Sequence, residues 1–454
     1  MSDYSVEAVE KSGVSILDLY DPVPNLATRP LLVDRLGQAL VASSRNGAAG
    51  AIMVIDFGGF KLPDAYSETG SIFLKSVVQR LTAALRNGDT IARINDNQLA
   101  ILLEGLGQNT VEAAAFSRRI ANKIFSIFDS PFTINGHERA VTCGAGVAMF
   151  FGQEKSEISI SLLEQADLAL RQSKKEGANT LCIFSEEMQE IADARQEIEA
   201  ELLGALARGE FALYYQVQVD KKKSTIGFEA LIRWFHPVKG LIYPVEFIPI
   251  AEESGLIVQI EKWVVGEVCR QLESWKNHSL YSQARVSVNI SARHFKHHTF
   301  SEDIIRILDL YKIDRRKLTF EITENILIDD IETVIHKMDL LRSHGIEFSL
   351  DDFGTGYCSL LYLKKLPLKQ LKIDKCFVRD LASDNKDVLI AKTIIYLAKS
   401  LGLTVVAEGV ETEKQFEILQ KGGCVEYQGY LFGKPAPITE MTLATGISDS
   451  VLKL

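Results

Sequence analysis

The sequence predicts a mixed α+β domain followed by an α/β domain whose strands close into an eight-stranded β/α barrel. Three observations carry this reading. From Phe211 onward, eight short apolar runs alternate with helical patterns. Glu321 and Asp351, which close two successive runs, stand about thirty residues apart, the length of one β/α unit of a barrel. Before Phe211 the order differs: helix, strand, helix, then two strands flanking Asn95-Asp96-Asn97, a hairpin-like turn.

In the first domain, Pro30 to Ser43 is expected to be an amphipathic helix with Leu31, Leu32, Leu36 and Leu40 on one face. Ala51 to Phe57 reads as an apolar strand, and Gly70 to Leu85 as a helix with Ile72, Val77, Leu81 and Leu85 inward. The hairpin strands are Asp89 to Ile94 and Gln98 to Leu103. A helix over Val111 to Phe128, a strand over Ala140 to Phe150, a helix over Leu162 to Lys174 and a strand over Leu181 to Phe184 complete residues 20–185. Ser185 to Arg208 has a narrow apolar stripe among many charges. It is either a connecting helix (186–208) or the first helix of the second domain (201–445).

The barrel strands are expected at Phe211–Val219, Ile226–Trp234, Arg285–Ile290, Leu318–Ile322, Glu347–Phe353, Gln370–Ile373, Thr404–Glu408 and Val425–Leu431. Only Asp220 to Thr225 separates the first two, too little for a crossover helix, so they pair antiparallel.

Composition narrows the function. A net charge of −10 argues against a broad nucleic-acid face and leaves no DNA partner. An anionic substrate then needs local cations. The six cysteines have no paired spacing, which disfavours a zinc ribbon or disulfide framework and suits a reducing compartment. No apolar run reaches the ~18 residues of a membrane span, and Met1 to Glu7 lacks signal-peptide order, so a cytoplasmic location is expected.

The chemistry lies at strand ends. Glu229, Asn289, Glu321, Asp351, Asp352 and Glu408 each close an apolar run, and barrel strand ends converge on one mouth. Carboxylates gathered there repel one another unless a cation holds them. Hard oxygen ligands suit Mg²⁺ or Mn²⁺, and six donors suit two ions. Such a pair activates water for phosphoester hydrolysis. Lys372 can orient that water or neutralise phosphate charge, and Arg233 can bind a phosphate. Either Glu408 or an ion-activated water can be the general base. The group His294, His297, His298 is read as an exposed helix or loop face, and Trp234, Trp263 and Trp275 as packing residues.

These residues resemble a known family. Glu229-Ala230-Leu231-Ile232-Arg233-Trp234 resembles the signature of EAL-domain cyclic di-GMP phosphodiesterases. Phe247 to Gly255, Val288 to Ser291, Glu321 to Glu324, Asp351 to Tyr357, Lys372-Ile373-Asp374, Ala407 to Glu411 and Gln428 to Phe432 match in order. The resemblance implies a barrel with one reversed strand and Mg²⁺- or Mn²⁺-dependent opening of cyclic di-GMP to pGpG. It implies metal ligation by Glu229, Asn289, Glu321 and Asp351. Asp352 and Glu408 would serve a second ion or the water, and Lys372 would assist the water. Gln216, Leu231, Arg233, Asp352 and Gln428 would touch substrate. Glu324 and Glu411 would brace the Asp-Asp loop, near a homodimer contact. The alternative is a receptor or scaffold that binds cyclic di-GMP without hydrolysing it.

Val217, Cys358 and Val425 depart from the family pattern, and Val425 is expected to weaken substrate contacts. The first domain resembles a GGDEF diguanylate cyclase domain, of nucleotidyl-cyclase-like α+β fold, with a decayed signature. Asn95-Asp96-Asn97-Gln98-Leu99 stands in place of Gly-Gly-Asp-Glu-Phe, so the two glycines and the acidic pair are gone. Asp56 remains as a candidate metal ligand, Gly58 replaces a second Asp, and Asp64 replaces a guanine-binding Asn. Cyclase activity is therefore not expected, although GTP or cyclic di-GMP could still be a ligand. Arg86 and Asp89 match a product-binding Arg-x-x-Asp, but four-residue motifs are weak and a helix-end Arg with a turn Asp explains them more simply.

Overall fold

The computed structural model describes residues 26–58, 68–86, 88–134, 137–151, 157–279, 281–327, 330–354 and 360–441. Asp64, Thr355 to Cys358 and residues 442–445, which figured in the sequence reading, lie outside them. The chain divides into two compact units, Met1–Ala194 and Arg195–Leu454.

The first unit contains α1 (Arg29–Asn46), β1 (Gly50–Gly58), α2 (Glu68–Ala84), β2 (Thr90–Arg93), β3 (Gln98–Leu103), α3 (Thr110–Phe128), β4 (Phe132–Ile134), β5 (His137–Arg139), β6 (Thr142–Phe150), α4 (Glu157–Glu176) and β7 (Leu181–Ile183). Its sheet runs β2-β3-β1-β6-β7. β1 is central and apolar over Ala51–Ile55 because both of its faces are covered. Met53, Ile55 and Phe57 pack with α2 and α3, while Ile52 and Val54 pack with α1 and α4.

Two expectations fail here. Ile72 is not inward but 57% exposed; the buried stripe of α2 is Phe73, Leu74, Val77, Val78 and Leu81, one residue round the helix. The pair β4–β5 was not anticipated, because three-residue strands carry too little alternation to register.

α5 (Glu186–Arg208) leads to the barrel: β8 (Phe211–Asp220), β9 (Thr225–His236), β10 (Gly240–Ile242), α6 (Pro244–Ser254), α7 (Ile257–Trp275), β11 (Arg285–Ile290), α8 (Ala292–Lys296), α9 (Phe300–Asp309), β12 (Leu318–Thr323), α10 (Ile331–Ser343), β13 (Glu347–Phe353), α11 (Leu360–Lys365), β14 (Gln370–Ile373), α12 (Cys376–Arg379), α13 (Asn385–Ser400), β15 (Thr404–Ala407), α14 (Glu413–Gly422) and β16 (Glu426–Gln428). β9 and β11 to β16 pair in parallel order, and β8 closes the ring antiparallel to both β9 and β16. β8 is thus the one reversed strand. The short β10 hairpin onto β9 was not foreseen.

Strand alternation explains the barrel's two shells. Val286, Val288 and Ile290, Phe320 and Ile322, and Phe348 and Leu350 turn outward into the apolar core under the helices. The residues between them turn inward and are polar. Ser287, Thr319, Ser349 and Gln370 are buried, and two residues further along their strands stand Asn289, Glu321, Asp351 and Lys372. The final strand is shorter than expected and stops at Gln428. A Cβ at Gly429 would lie 2.1 Å from the Val410 carbonyl, so the chain turns there against the segment that follows β15.

Candidate active site

At the C-terminal ends of the strands, Lys372 is fully buried and surrounded by acids. Its Nζ lies 2.5 Å from Glu321 Oε2, 2.5 Å from Glu408 Oε1, 3.4 Å from Asp351 Oδ1 and 3.5 Å from Glu229 Oε2. One ammonium therefore faces four carboxylates, with Asp352 beside them. The electrostatics follow from that ratio. Burial drives Glu321 well above the ordinary carboxylate range, against the pull of Lys372, and the neighbouring acids push the same way. Glu408 rises to about 8, again chiefly through burial. Burial also opposes ionisation of Glu229, but Lys372 and its amide donors outweigh it and hold Glu229 below the usual range. Lys372 rises well above its ordinary value, because the four acids outweigh its desolvation.

Glu229 is fixed by amides: Asn289 Nδ2 donates to its Oε1 at 2.7 Å and Gln428 Nε2 to its Oε2 at 2.6 Å. Gln428 also donates to Gln216 Oε1 at 3.0 Å, and Gln218 donates to Gln428 Oε1 at 3.0 Å. Sequence reasoning overlooked Gln218, although it stands two residues from Gln216 and so faces the same way.

Asp351 and Asp352 are adjacent, yet both reach the site. β13 has a register irregularity between Leu350 and Phe353, and Asp352 is left-handed at φ 53°. The irregularity breaks the alternation that would otherwise send them to opposite faces. Oxygens of Asp351, Asp352 and Glu408 lie within 4.8 Å of one another. Burial and then Asp351 raise Asp352 to about 6, and Asp374 shares a hydrogen bond with it. Asp374 was quoted in the sequence with no role; it faces this side because it lies two residues past Lys372.

The loop after Asp352 is braced by Glu324, whose Oε1 accepts the Gly354 amide at 2.8 Å. Glu411 is exposed. Its backbone amide donates to Gln415, and among the described residues its carboxylate has no hydrogen bond. Leu231 lines a cavity of about 510 Å³ beside the acids, together with Pro249, Asn289 and Glu321.

The donors fit a divalent cation. Glu321 Oε1 is buried without a hydrogen-bond partner, and the surrounding atoms are hard oxygens in excess of the one internal cation.

Two expectations need correction. His294 is not exposed but fully buried, its Nδ1 2.8 Å from Glu261 Oε2, which makes it a core residue. Val425 does not border the mouth. It precedes β16, whose first residue, Glu426, accepts from Arg285 at 2.8 Å and Gln370 at 2.6 Å at the starts of β11 and β14, the opposite end of the barrel.

In the first unit, Asp56 Oδ2 is already paired with Lys174 Nζ at 2.7 Å and accepts from Gln98 at 3.0 Å. The Asn95–Asn97 turn closes on itself: Asn97 N donates to Asn95 Oδ1, and Arg93 pairs with Asp96. Asp89 Oδ2 caps the backbone amide of Arg86 at 2.9 Å, so the Arg86–Asp89 pair closes a turn.

Fold and site together define a β/α barrel with a carboxylate-lined mouth able to hold divalent cations. The chain belongs to the EAL domain family, whose model matches residues 199–435. The model of the diguanylate cyclase GGDEF domain matches residues 18–180, so the two domains stand in tandem. The chain is 37% identical over 430 residues to the bifunctional diguanylate cyclase/cyclic di-GMP phosphodiesterase MucR of Pseudomonas aeruginosa, covering 94% of this chain and 61% of that protein. It is 34% identical over 425 residues to the cyclic di-GMP phosphodiesterase NbdA of the same organism, covering 93% of this chain and 53% of that protein. It thus spans between half and two thirds of these relatives. The structure of the PaMucR phosphodiesterase in complex with c-di-GMP superposes with a TM-score of 0.52 at 41% identity, over 54% of this chain and all of that one. No described helix is long and apolar enough to cross a membrane.

Proposed function

We propose that the barrel hydrolyses cyclic di-GMP to linear pGpG with Mg²⁺ or Mn²⁺, and that the GGDEF domain is a regulatory module without cyclase activity. The observation that carries this is the convergence of Glu229, Asn289, Glu321, Asp351, Asp352 and Glu408 around Lys372, with Glu321 Oε1 buried and unbonded. Those six residues would hold two ions. When bound, such ions polarise the phosphoryl oxygen and supply a nucleophilic water near neutral pH. The chain's own residues do the positioning. Asn289 and Gln428 fix both oxygens of Glu229. Lys372 Nζ presents its charge to a phosphate oxygen, and either Glu408 or an ion-activated water serves as the general base. Gln216, Leu231, Arg233, Asp352 and Gln428 contact the dinucleotide, and Glu324 holds the Asp-Asp loop.

The regulatory reading of the first domain rests on the Lys174–Asp56 pair, which sets an internal cation where a metal ligand would be needed. We assign the chain to the cytoplasm, where the free thiols of Cys143, Cys182, Cys269, Cys376 and Cys424 stay reduced.

The test is cyclic di-GMP hydrolysis by the full chain with Mg²⁺ or Mn²⁺, product resolved by chromatography, with Glu229→Ala alongside. Appearance of pGpG from the wild type alone supports the reading. Bound but intact cyclic di-GMP would make the barrel a receptor.

A further inference from the structure

A glutamine amide has a donor end and an acceptor end, and either can face a given neighbour until the surrounding bonds fix its sense. Three buried glutamines stand together beside Glu229: Gln216 and Gln218 on β8, and Gln428 on β16. β8 sends Tyr215, Val217 and Val219 into the apolar core, so Gln216 and Gln218 between them face the barrel interior. Gln218 lies opposite Gln428 across the antiparallel β16–β8 pair, and Gln216 lies opposite Glu229 across β8–β9.

Two groups at the ends of this set can only accept. The Gly433 carbonyl takes Gln216 Nε2 at 3.2 Å, so Gln216 turns its Oε1 toward Gln428, whose Nε2 donates to it at 3.0 Å. The Glu229 carboxylate takes the same Gln428 Nε2 at 2.6 Å on Oε2. Gln428 must therefore present nitrogen to both neighbours. Its Oε1 is left facing β8, where Gln218 Nε2 donates to it at 3.0 Å. A reversed Gln428 would set oxygen against a carboxylate and against a second amide oxygen, leaving buried acceptors without a donor.

Building on the metal-dependent phosphodiesterase reading, we propose that Gln218 is a positioning residue for the metal centre: by donating to the acceptor end of Gln428, it fixes the sense of that amide and keeps a donor on Glu229. Gln218 touches neither substrate nor ion in this role. It acts through one hydrogen bond, and what it sets is direction rather than volume. Loss of the donor at 218 leaves Gln428 able to take either sense, and Glu229 loses one of the two amides that hold its oxygens in place for an ion.

The experiment measures the Mn²⁺ dissociation constant of the full chain at pH 8 by electron paramagnetic resonance of the free ion. The variants are Gln218→Met, Gln428→Met, the two combined, and Gln218→His, with folding checked by melting in EDTA. Gln218→Met keeps most of the volume and removes the donor, and it should weaken Mn²⁺ binding about tenfold, as loss of an outer-shell partner does. Gln218→His offers a neutral N–H at similar reach and should recover most of the affinity. The combined variant should match Gln428→Met alone within about twofold, because Gln218 has nothing to act through once Gln428 is gone. Gln218→Thr, suited to a strand but too short to reach Gln428, replaces Gln218→Met if the latter does not fold. An unchanged Mn²⁺ affinity on losing the donor, no recovery with histidine, or losses that multiply in the combined variant would overturn the assignment. Cyclic di-GMP hydrolysis is followed separately. A wild type that binds Mn²⁺ without turning over substrate ends the phosphodiesterase reading and leaves Gln218 to be decided by the Mn²⁺ affinities; a wild type that binds no Mn²⁺ ends both.

Discussion

Glu324 Oε1 accepts the backbone amide of Gly354 at 2.8 Å and so ties the exit of β12 to the loop that follows Asp351 and Asp352. Gly354 is left-handed at φ 99°, and a Cβ there would come within 2.8 Å of the Phe377 ring, so the position requires glycine. Glu324→Ala should release it. Outer-shell partners of this kind are worth roughly 10- to 100-fold in metal affinity or activity. We expect a loss of that size, measured as a rise in the Mn²⁺ concentration for half-maximal activity, with the melting temperature little changed.

Lys372→Met should act on stability instead. It leaves Glu229, which Lys372 helps to hold ionised, buried with no internal counter-charge. Removing one partner of a buried ion pair costs about 3–5 kcal/mol. Urea unfolding in EDTA should report a loss of that order. Added Mn²⁺ should recover part of it, because the ion replaces the missing charge. A variant as stable as wild type in EDTA would mean that Glu229 also takes up a proton rather than depending on Lys372.

Proton uptake sets a pH dependence. Burial above all holds Glu408 at about 8 against an ordinary 4.5, and Asp352 at about 6 against 3.8. Between those limits the folded, metal-free chain binds more protons than the unfolded chain. The resulting stability is complete below the ordinary values and is lost as pH rises through about 6 and then about 8. The melting temperature in EDTA should therefore fall from pH 6 to pH 9. Ion binding must expel those protons, so the gain in melting temperature on adding Mn²⁺ should be larger at pH 8.5 than at pH 6.

Gly429→Ala should lower both stability and turnover. The added methyl meets the Val410 carbonyl at 2.1 Å, and Val410 N donates to the Gln428 carbonyl in the same exchange. Overpacking against backbone costs typically 1–3 kcal/mol. Thermal melts should show the loss, and Gln428 should be displaced from Glu229, visible as a weaker Kd for cyclic di-GMP.

Incubation with GTP and Mg²⁺ should yield no cyclic di-GMP. Asp56 is held by Lys174 and Gln98, and Asn97 and Gln98 are amides where the resemblance calls for acids. Product detected by mass spectrometry would refute this.

The site was legible because its residues end strands. Asn289, Glu321 and Asp351 each follow an apolar residue on an alternating strand, and a barrel gathers such ends at one mouth. Gln218 and Asp374 carried the same every-second-residue signal, but their inward direction shows only once the neighbouring strands are in register. His294 and Glu261 could not be paired from sequence, because they stand thirty-three residues apart and meet through the packing of α7 against α8. Val425 was misread because direction was ignored: a residue that precedes a barrel strand lies at the end away from the mouth.

Lys372 has one more consequence, for how the protein is made. Its ammonium is a resident counter-ion covalently bound into the wall of the barrel, in contact with the acids from the moment the strands close. A newly synthesised chain can therefore close its barrel in a metal-poor cell and wait. On the metal-dependent reading proposed above, a shortage of divalent ions would withhold activity without unmaking the protein.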